Sequence, residues 1–196
     1  KIKFILLIIL LYQTPLHSKS NSLDDFNSKN LSKYFSGIVA FENKDNSLAL
    51  DFFDTTKILV NQHDPFLQRY IFSLVLENKV SQAINLIKNN KDKQNTNFFD
   101  AYFLLILDSL KRNNLDEAQN YLKVAISFSQ NDRFISAILE SLKQYIYVFK
   151  EKKILNEKKS FGKLSIISET LQRCFLGDEK TGSYFSNLIN DIQSDY

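Results

Sequence analysis

The chain has 196 residues, 44% of them hydrophobic and 24% charged, an ordinary globular balance with enough apolar material for a core. Four glycines and two prolines suit long helices joined by short polar turns, which gives an all-α expectation. The formal charge of +3 comes from Lys1, Lys3 and Lys19; without them 22 basic side chains face 22 acidic ones, so the composition carries no basic footprint for nucleic acid.

Lys1 and Lys3 precede an uninterrupted apolar run over residues 4 to 12, which Gln13, Thr14 and Pro15 break. Ser18 and Ser20 then place small residues before a cut at Asn21, so residues 1–20 read as a signal peptide and the mature chain as exported, to a periplasm or cell envelope. The run is shorter than the ~20 residues that span a bilayer, so membrane contact is expected only through this leader, should it stay uncleaved. Cys174 is the sole cysteine, which rules out a disulfide within the chain. It stands between Leu171 and Phe175 on an apolar helical stretch, where a small buried hydrophobe is expected.

Residues 21–30 are mostly Asn, Ser, Asp and Lys and read as a linker. Helical periodicity starts near Leu31, with Ser32 as a cap, and carries Tyr34, Phe35, Ile38, Val39 and Phe41; a second helix is expected from about Ser47 to Val60. The loop ending at Pro65 opens the next pair, with Leu67, Tyr70, Ile71 and Leu74 on one helix and Ala83, Ile84 and Ile87 on its partner. Nine polar residues, 89 to 97, make a loop. The helix that follows, from about Asn97 to Lys111, is apolar almost all round, as a helix with neighbours on several sides would be; a turn at Asn113 and Asn114 leads to its partner. Beyond residue 130 a long helix from about Asp132 to Lys152, a lysine-rich loop and two more helices complete the chain, the last two separated by Gly177 and Asp178. Glu151 and Glu157 interleave the lysines of that loop, which reads as a solvated helix end.

Ala49, Ala83 and Ala118 lie 34 and 35 residues apart, each just after a polar turn and at the start of a helical pattern. Ala118, Leu122 and Ala125 place small, large and small residues at helical spacing; Ala49, Phe53 and Thr56 come close, and Ala83 with Ile87 keeps two of the three, Asn90 standing at the last position. Gly37 occupies the matching close contact in the first helix. On these residues the chain resembles the tetratricopeptide repeat family over about residues 31 to 130, and more broadly bacterial envelope proteins of that type. The resemblance implies a TPR-like α-solenoid: three antiparallel helix hairpins over 31–130 and a helical C-terminal cap over 131–196. In the cap, residues 161–193 could form a divergent fourth unit with Gly182 as its small residue.

The resemblance also implies a scaffold or adaptor that binds a protein or peptide segment on a concave face lined by the first helix of each unit. Here that face would present Tyr34, Phe41, Gln68, Phe72 and Lys111. No catalytic residue, cofactor or metal site is expected. His63 is the only histidine beyond the leader and reads as a solvated loop residue, and the sequence contains no phosphate loop or metal-binding cysteine pair. Asp51 and Asp54 share one helix face, and paired carboxylates of that kind are the basis of an alternative reading as an enzyme acting on cell-wall material.

Overall fold

A computed structural model of the protein describes residues 27 to 193 apart from 62, 91–95 and 131; the expected signal peptide and most of the expected linker fall outside the described residues. Among these residues every regular element is helical: α1 (Ser28–Glu42), α2 (Asn46–Thr55), α3 (Asp64–Leu76), α4 (Val80–Asn90), α5 (Phe99–Lys111), α6 (Leu115–Ala125), α7 (Arg133–Glu151), α8 (Lys163–Phe175) and α9 (Thr181–Gln193). Short 3₁₀ turns follow α2 (Lys57–Asn61) and α6 (Ile126–Ser129). The chain divides into two compact units between Leu59 and Val60.

The first unit is the hairpin of α1 and α2. Helix α1 begins earlier than the sequence pattern indicates, because Asn27 is its cap: Asn27 Oδ1 accepts from the Asn30 amide at 2.8 Å, and Ser32 sits inside the helix. Helix α2 ends earlier, at Thr55. The Thr56 hydroxyl donates to the carbonyls of Phe52 and Phe53, and the chain then tightens into the 3₁₀ turn. Tyr34, Gly37 and Ala40 of α1 are buried, as are Ala49, Leu50 and Phe53 of α2.

The second unit holds the hairpins α3/α4, α5/α6 and α8/α9, with α7 packed against α6 and against α8. Pro65 stands in the first turn of α3, where its missing amide hydrogen costs nothing, and His63 is the residue before the helix. His63 is half-buried and its carbonyl accepts from the Phe66 amide at 2.9 Å, so it belongs to a helix start and not to an open loop. Across α5, α6 and α7, Ile106, Ala118, Leu122, Ala125, Leu139 and Ile146 form one core cluster.

Four hairpins close with the same backbone turn. Lys44, Asn78, Asn113 and Gly177 adopt left-handed φ angles of 65°, 59°, 57° and 72°. The next amide in each turn reaches back five residues: Asp45 to the Ala40 carbonyl at 3.0 Å, Lys79 to Leu74 at 2.8 Å, Asn114 to Ser109 at 2.8 Å, and Asp178 to Arg173 at 3.0 Å. These bonds satisfy the last carbonyls of one helix. In two of the turns the following side chain also starts the next helix, Asp45 accepting from the Leu48 amide and Asn114 from the Glu117 amide.

The three alanines of the sequence period are all completely buried, at 0% exposure, and Phe53, Thr56, Ile87, Asn90, Leu122 and Ala125 are buried with them. Asn90 is accommodated by bonding: its Nδ2 donates to the Leu86 carbonyl and its own carbonyl accepts from the Thr96 hydroxyl. The repeat therefore holds for the buried positions of three hairpins. The α8/α9 hairpin shares only the turn, since Gly182 is exposed and a Cβ there would meet no atom within 4 Å.

Helix α8 faces the opposite way from the sequence expectation. It buries Ser168, Thr170 and Gln172, while Leu171, Cys174 and Phe175 are exposed. The physical reason is a polar seam between α7 and α8: Gln172 Nε2 donates to Gln144 Oε1 at 3.2 Å and to Ser168 Oγ at 3.0 Å, and Gln144 Nε2 donates to Glu140 Oε1 at 3.1 Å. Cys174 lies on the side away from that seam.

Candidate interaction surface

Two helices of the second unit present matching stripes. Gln68, Phe72 and Leu76 follow one another at four-residue spacing on α3, and Phe103, Leu107 and Lys111 do so on α5, each 35 residues further along. Gln68 Nε2 lies 3.5 Å from Asp100 Oδ2, which brings the two stripes side by side. Leu76 is 52% exposed and Leu107 40%, while Phe72 and Phe103 are half-buried. Phe103 is held from behind by stacking on Phe99, ring centroids 5.6 Å apart. The result is an apolar strip edged by Gln68, Asp100 and Lys111. Helix α5 is thus not enclosed on every side, contrary to its near-continuous apolar pattern.

Of the residues expected to line a partner-binding face, Gln68, Phe72 and Lys111 are on this surface. Tyr34 and Phe41 belong to the first unit. Tyr34 is buried at 3% exposure with its ring tilted against Phe53, so it is a core residue and not an accessible anchor. Phe41 is half-buried. Leu76, Phe103 and Leu107 were missed, although the 35-residue period that relates them to Lys111, Gln68 and Phe72 was already visible in the sequence.

The first unit carries its own apolar groove, a cavity of about 540 Å³ against α1, lined among others by Phe35, Val39 and Leu48. Phe35 and Val39 are 58% and 60% exposed, whereas Arg69 and Ser73, 34 residues on, are half-buried and buried. A second cavity, of about 380 Å³, lies between the loop before α8 and α9 and is lined by Lys158, Glu169, Arg173 and Tyr184.

The charged side chains near these surfaces are engaged with one another. Asp108 accepts from Lys88 Nζ at 2.8 Å and pairs with Arg112 at 3.0 Å; the Lys88 bond, then Arg112, hold its carboxyl below the ordinary value against the opposing effect of burial. Burial pushes Glu117 upward, but the Arg112 guanidinium at 2.6 Å and the Ser109 hydroxyl at 2.9 Å outweigh it and bring the carboxyl down. Lys158, bonded to Glu169, lowers that carboxyl as well, with Arg173 adding to the effect. Asp54 pairs with Lys57 at 3.0 Å and Asp51 is exposed. These contacts are those of structural ion pairs, and among the described residues no group of three or more His, Cys, Asp or Glu side chains could hold a metal ion.

No protein-family model, curated protein or solved structure matches the chain significantly.

Proposed function

We propose that the protein is a non-catalytic interaction scaffold, a TPR-like solenoid of stacked hairpins in a bacterial cell envelope, that holds a segment of another protein along the α3 and α5 stripes. The observation that carries this reading is the register of the two stripes: Phe72 and Leu107, both partly exposed, occupy equivalent places on successive first helices, with Leu76 and Phe103 beside them, so a partner segment crossing both would meet an anchor on each. The polar edge at Gln68, Asp100 and Lys111 would orient that segment. Exposure of large apolar side chains in neighbouring rows is a feature of binding surfaces more than of solvated helix backs. The export assignment rests on the leader composition.

The test is affinity capture from an envelope extract with the wild-type chain and a Phe72→Ala/Leu107→Ala variant. The variant is expected to keep its helical circular dichroism and melting temperature while losing the captured partner. Capture that is unchanged in a folded variant rejects this surface.

A further inference from the structure

The repeat gives α1 a face whose counterparts elsewhere in the chain are covered. Stepping through the 34- and 35-residue intervals takes Ser32, Ser36 and Val39 of α1 to Phe66, Tyr70 and Ser73 of α3, and on to Ala101, Leu105 and Asp108 of α5. Phe66, Tyr70, Ser73, Ala101 and Leu105 are all at most 4% exposed. On α5 this face receives α4, the second helix of the preceding hairpin, and Asp108 accepts from Lys88 there at 2.8 Å. On α1 the same face is open: Val39 is 60% exposed, Phe35 beside it 58%, and Ser32 is exposed as well. It forms the apolar groove of the first unit, with Ala40 and Leu48 along its side. Its shape is that of a seat for a helix that comes before α1.

We propose that, in the chain that still carries its leader, residues 4–12 occupy this face as a helix antiparallel to α1, taking the place there that α4 takes on α5. Those residues match the stretch 32–40 in number and would form a helix about 13 Å long, too short to be stable in water without a surface to pack on. Residues 13–27 are available for the connection, against residues 91–98 between α4 and α5. The run carries no charge, and the groove matches it: Asp45, the one charged residue among the described residues lining it, already caps α2 through the Leu48 amide. Charge also sets the direction. Antiparallel docking brings Lys1 and Lys3 to the negative end of the α1 dipole, where Glu42 and Asp45 outnumber Lys44; parallel docking would set them beside Lys29 and Lys33. The last helix of a second copy suits the seat less well. Asp116 and Gln119, by which α6 bonds Lys150 of α7, correspond from the turn onward to Lys180 and Ser183 at α9, both polar and exposed. Removal of residues 1–20 would uncover Phe35 and Val39, so that processing and opening of the groove become one event. The contact belongs to the first unit and is independent of the α3 and α5 surface.

Cys174 is the only cysteine, so introduced pairs can be read in a Cys174→Ser chain. The full chain is produced without export, mass spectrometry checks that residues 1–20 are still attached, and the dilute protein is oxidised with copper phenanthroline. Antiparallel docking matches residue 12 with 32 and residue 5 with 39. Disulfides within one chain are therefore expected for Tyr12→Cys/Ser32→Cys and for Ile5→Cys/Val39→Cys. None is expected for Ile5→Cys/Ser32→Cys, although those two positions are nearer along the sequence than 5 and 39, so a loose tether would give the opposite preference. Phe35→Glu should cut the yield of the Ile5→Cys/Val39→Cys disulfide roughly tenfold by placing a carboxylate under the apolar run. Ser32, Phe35 and Val39 are exposed, so the variants keep the fold, which circular dichroism checks. The proposal is overturned by equal yields from all three pairs, by no disulfide in any of them, by disulfides that join two chains, or by a yield indifferent to Phe35→Glu.

Discussion

Gly37 and Phe53 are in such close contact that a Cβ on the glycine would lie 2.7 Å from Cε1 of the phenylalanine ring and 3.1 Å from Phe52 Cβ. Phe53 is fully buried and has no free direction in which to move. Gly37→Val is therefore expected to lower stability by about 1–3 kcal/mol through overpacking, despite removing a helix-interior glycine. Urea denaturation measures the loss, and combining it with Phe53→Leu should recover part of it in a double-mutant cycle.

Leu122 packs among Ile106, Ala118, Ala125, Leu139 and Ile146, so Leu122→Ala opens a cavity worth about 2–5 kcal/mol. Ala118→Phe at the crossing of α5 and α6 costs about 1–3 kcal/mol by the opposite route, forcing the helices apart. Thermal melts that stay at the wild-type midpoint in both variants would show that these residues are not at the interface.

Lys44 holds the left-handed conformation that Gly177 holds at the equivalent place in its own turn, and a side chain in that conformation is strained. Lys44→Gly should stabilise the first hairpin by about 0.5–1 kcal/mol, net of the glycine's greater freedom when unfolded. Asn113→Gly should gain less, since asparagine tolerates the conformation. Equal gains would mean that the turn geometry is not what limits stability.

Asp108 is held below the ordinary aspartate value first by its hydrogen bond from Lys88, so its ionised form is favoured in the folded state. The contribution is complete above the unfolded value near pH 3.9, is lost as pH falls through the lower folded value, and is worth about 0.5–1 kcal/mol for a partly exposed pair. Lys88→Met should therefore be less stable than wild type at pH 7, and the two should converge toward pH 2. Denaturation curves with a pH-independent gap would contradict that origin.

In the Gln144–Gln172 seam Gln172 Nε2 donates to Gln144 Oε1, while Gln172 Oε1 is buried without a hydrogen-bond partner. Gln172→Leu alone leaves Gln144 Oε1 buried without its donor and should cost about 1–3 kcal/mol, whereas Gln144→Leu/Gln172→Leu should regain most of that loss. Calorimetry of the two variants separates the outcomes; a double variant worse than the single one would mean the amides are held for their shape.

What could be read in advance was what depends on neighbours in sequence. The three buried alanines, the polar turns and Pro65 at the start of α3 follow from local spacing and local stereochemistry. The facing of α8 does not. Leu164, Ile167, Leu171 and Phe175 spell a core stripe on their own, and only Gln144 and Glu140, some thirty residues away, reveal which side is turned inward. Tyr34 illustrates the same limit, because an aromatic at a lining position and one packed on Phe53 look identical until the hairpin is closed. On the α3 and α5 surface, Leu76 and Leu107 look like core residues by type, yet both are exposed in the folded unit.

The recurring left-handed turn has a kinetic side. Each hairpin that it closes brings together residues adjacent along the chain, so little loop-closure entropy opposes the first contacts and native topology can be reached by quick local steps. Assembly should start at whichever hairpin forms first, and a newly made chain emerging from the ribosome would already carry folded pairs before its last helices are synthesised.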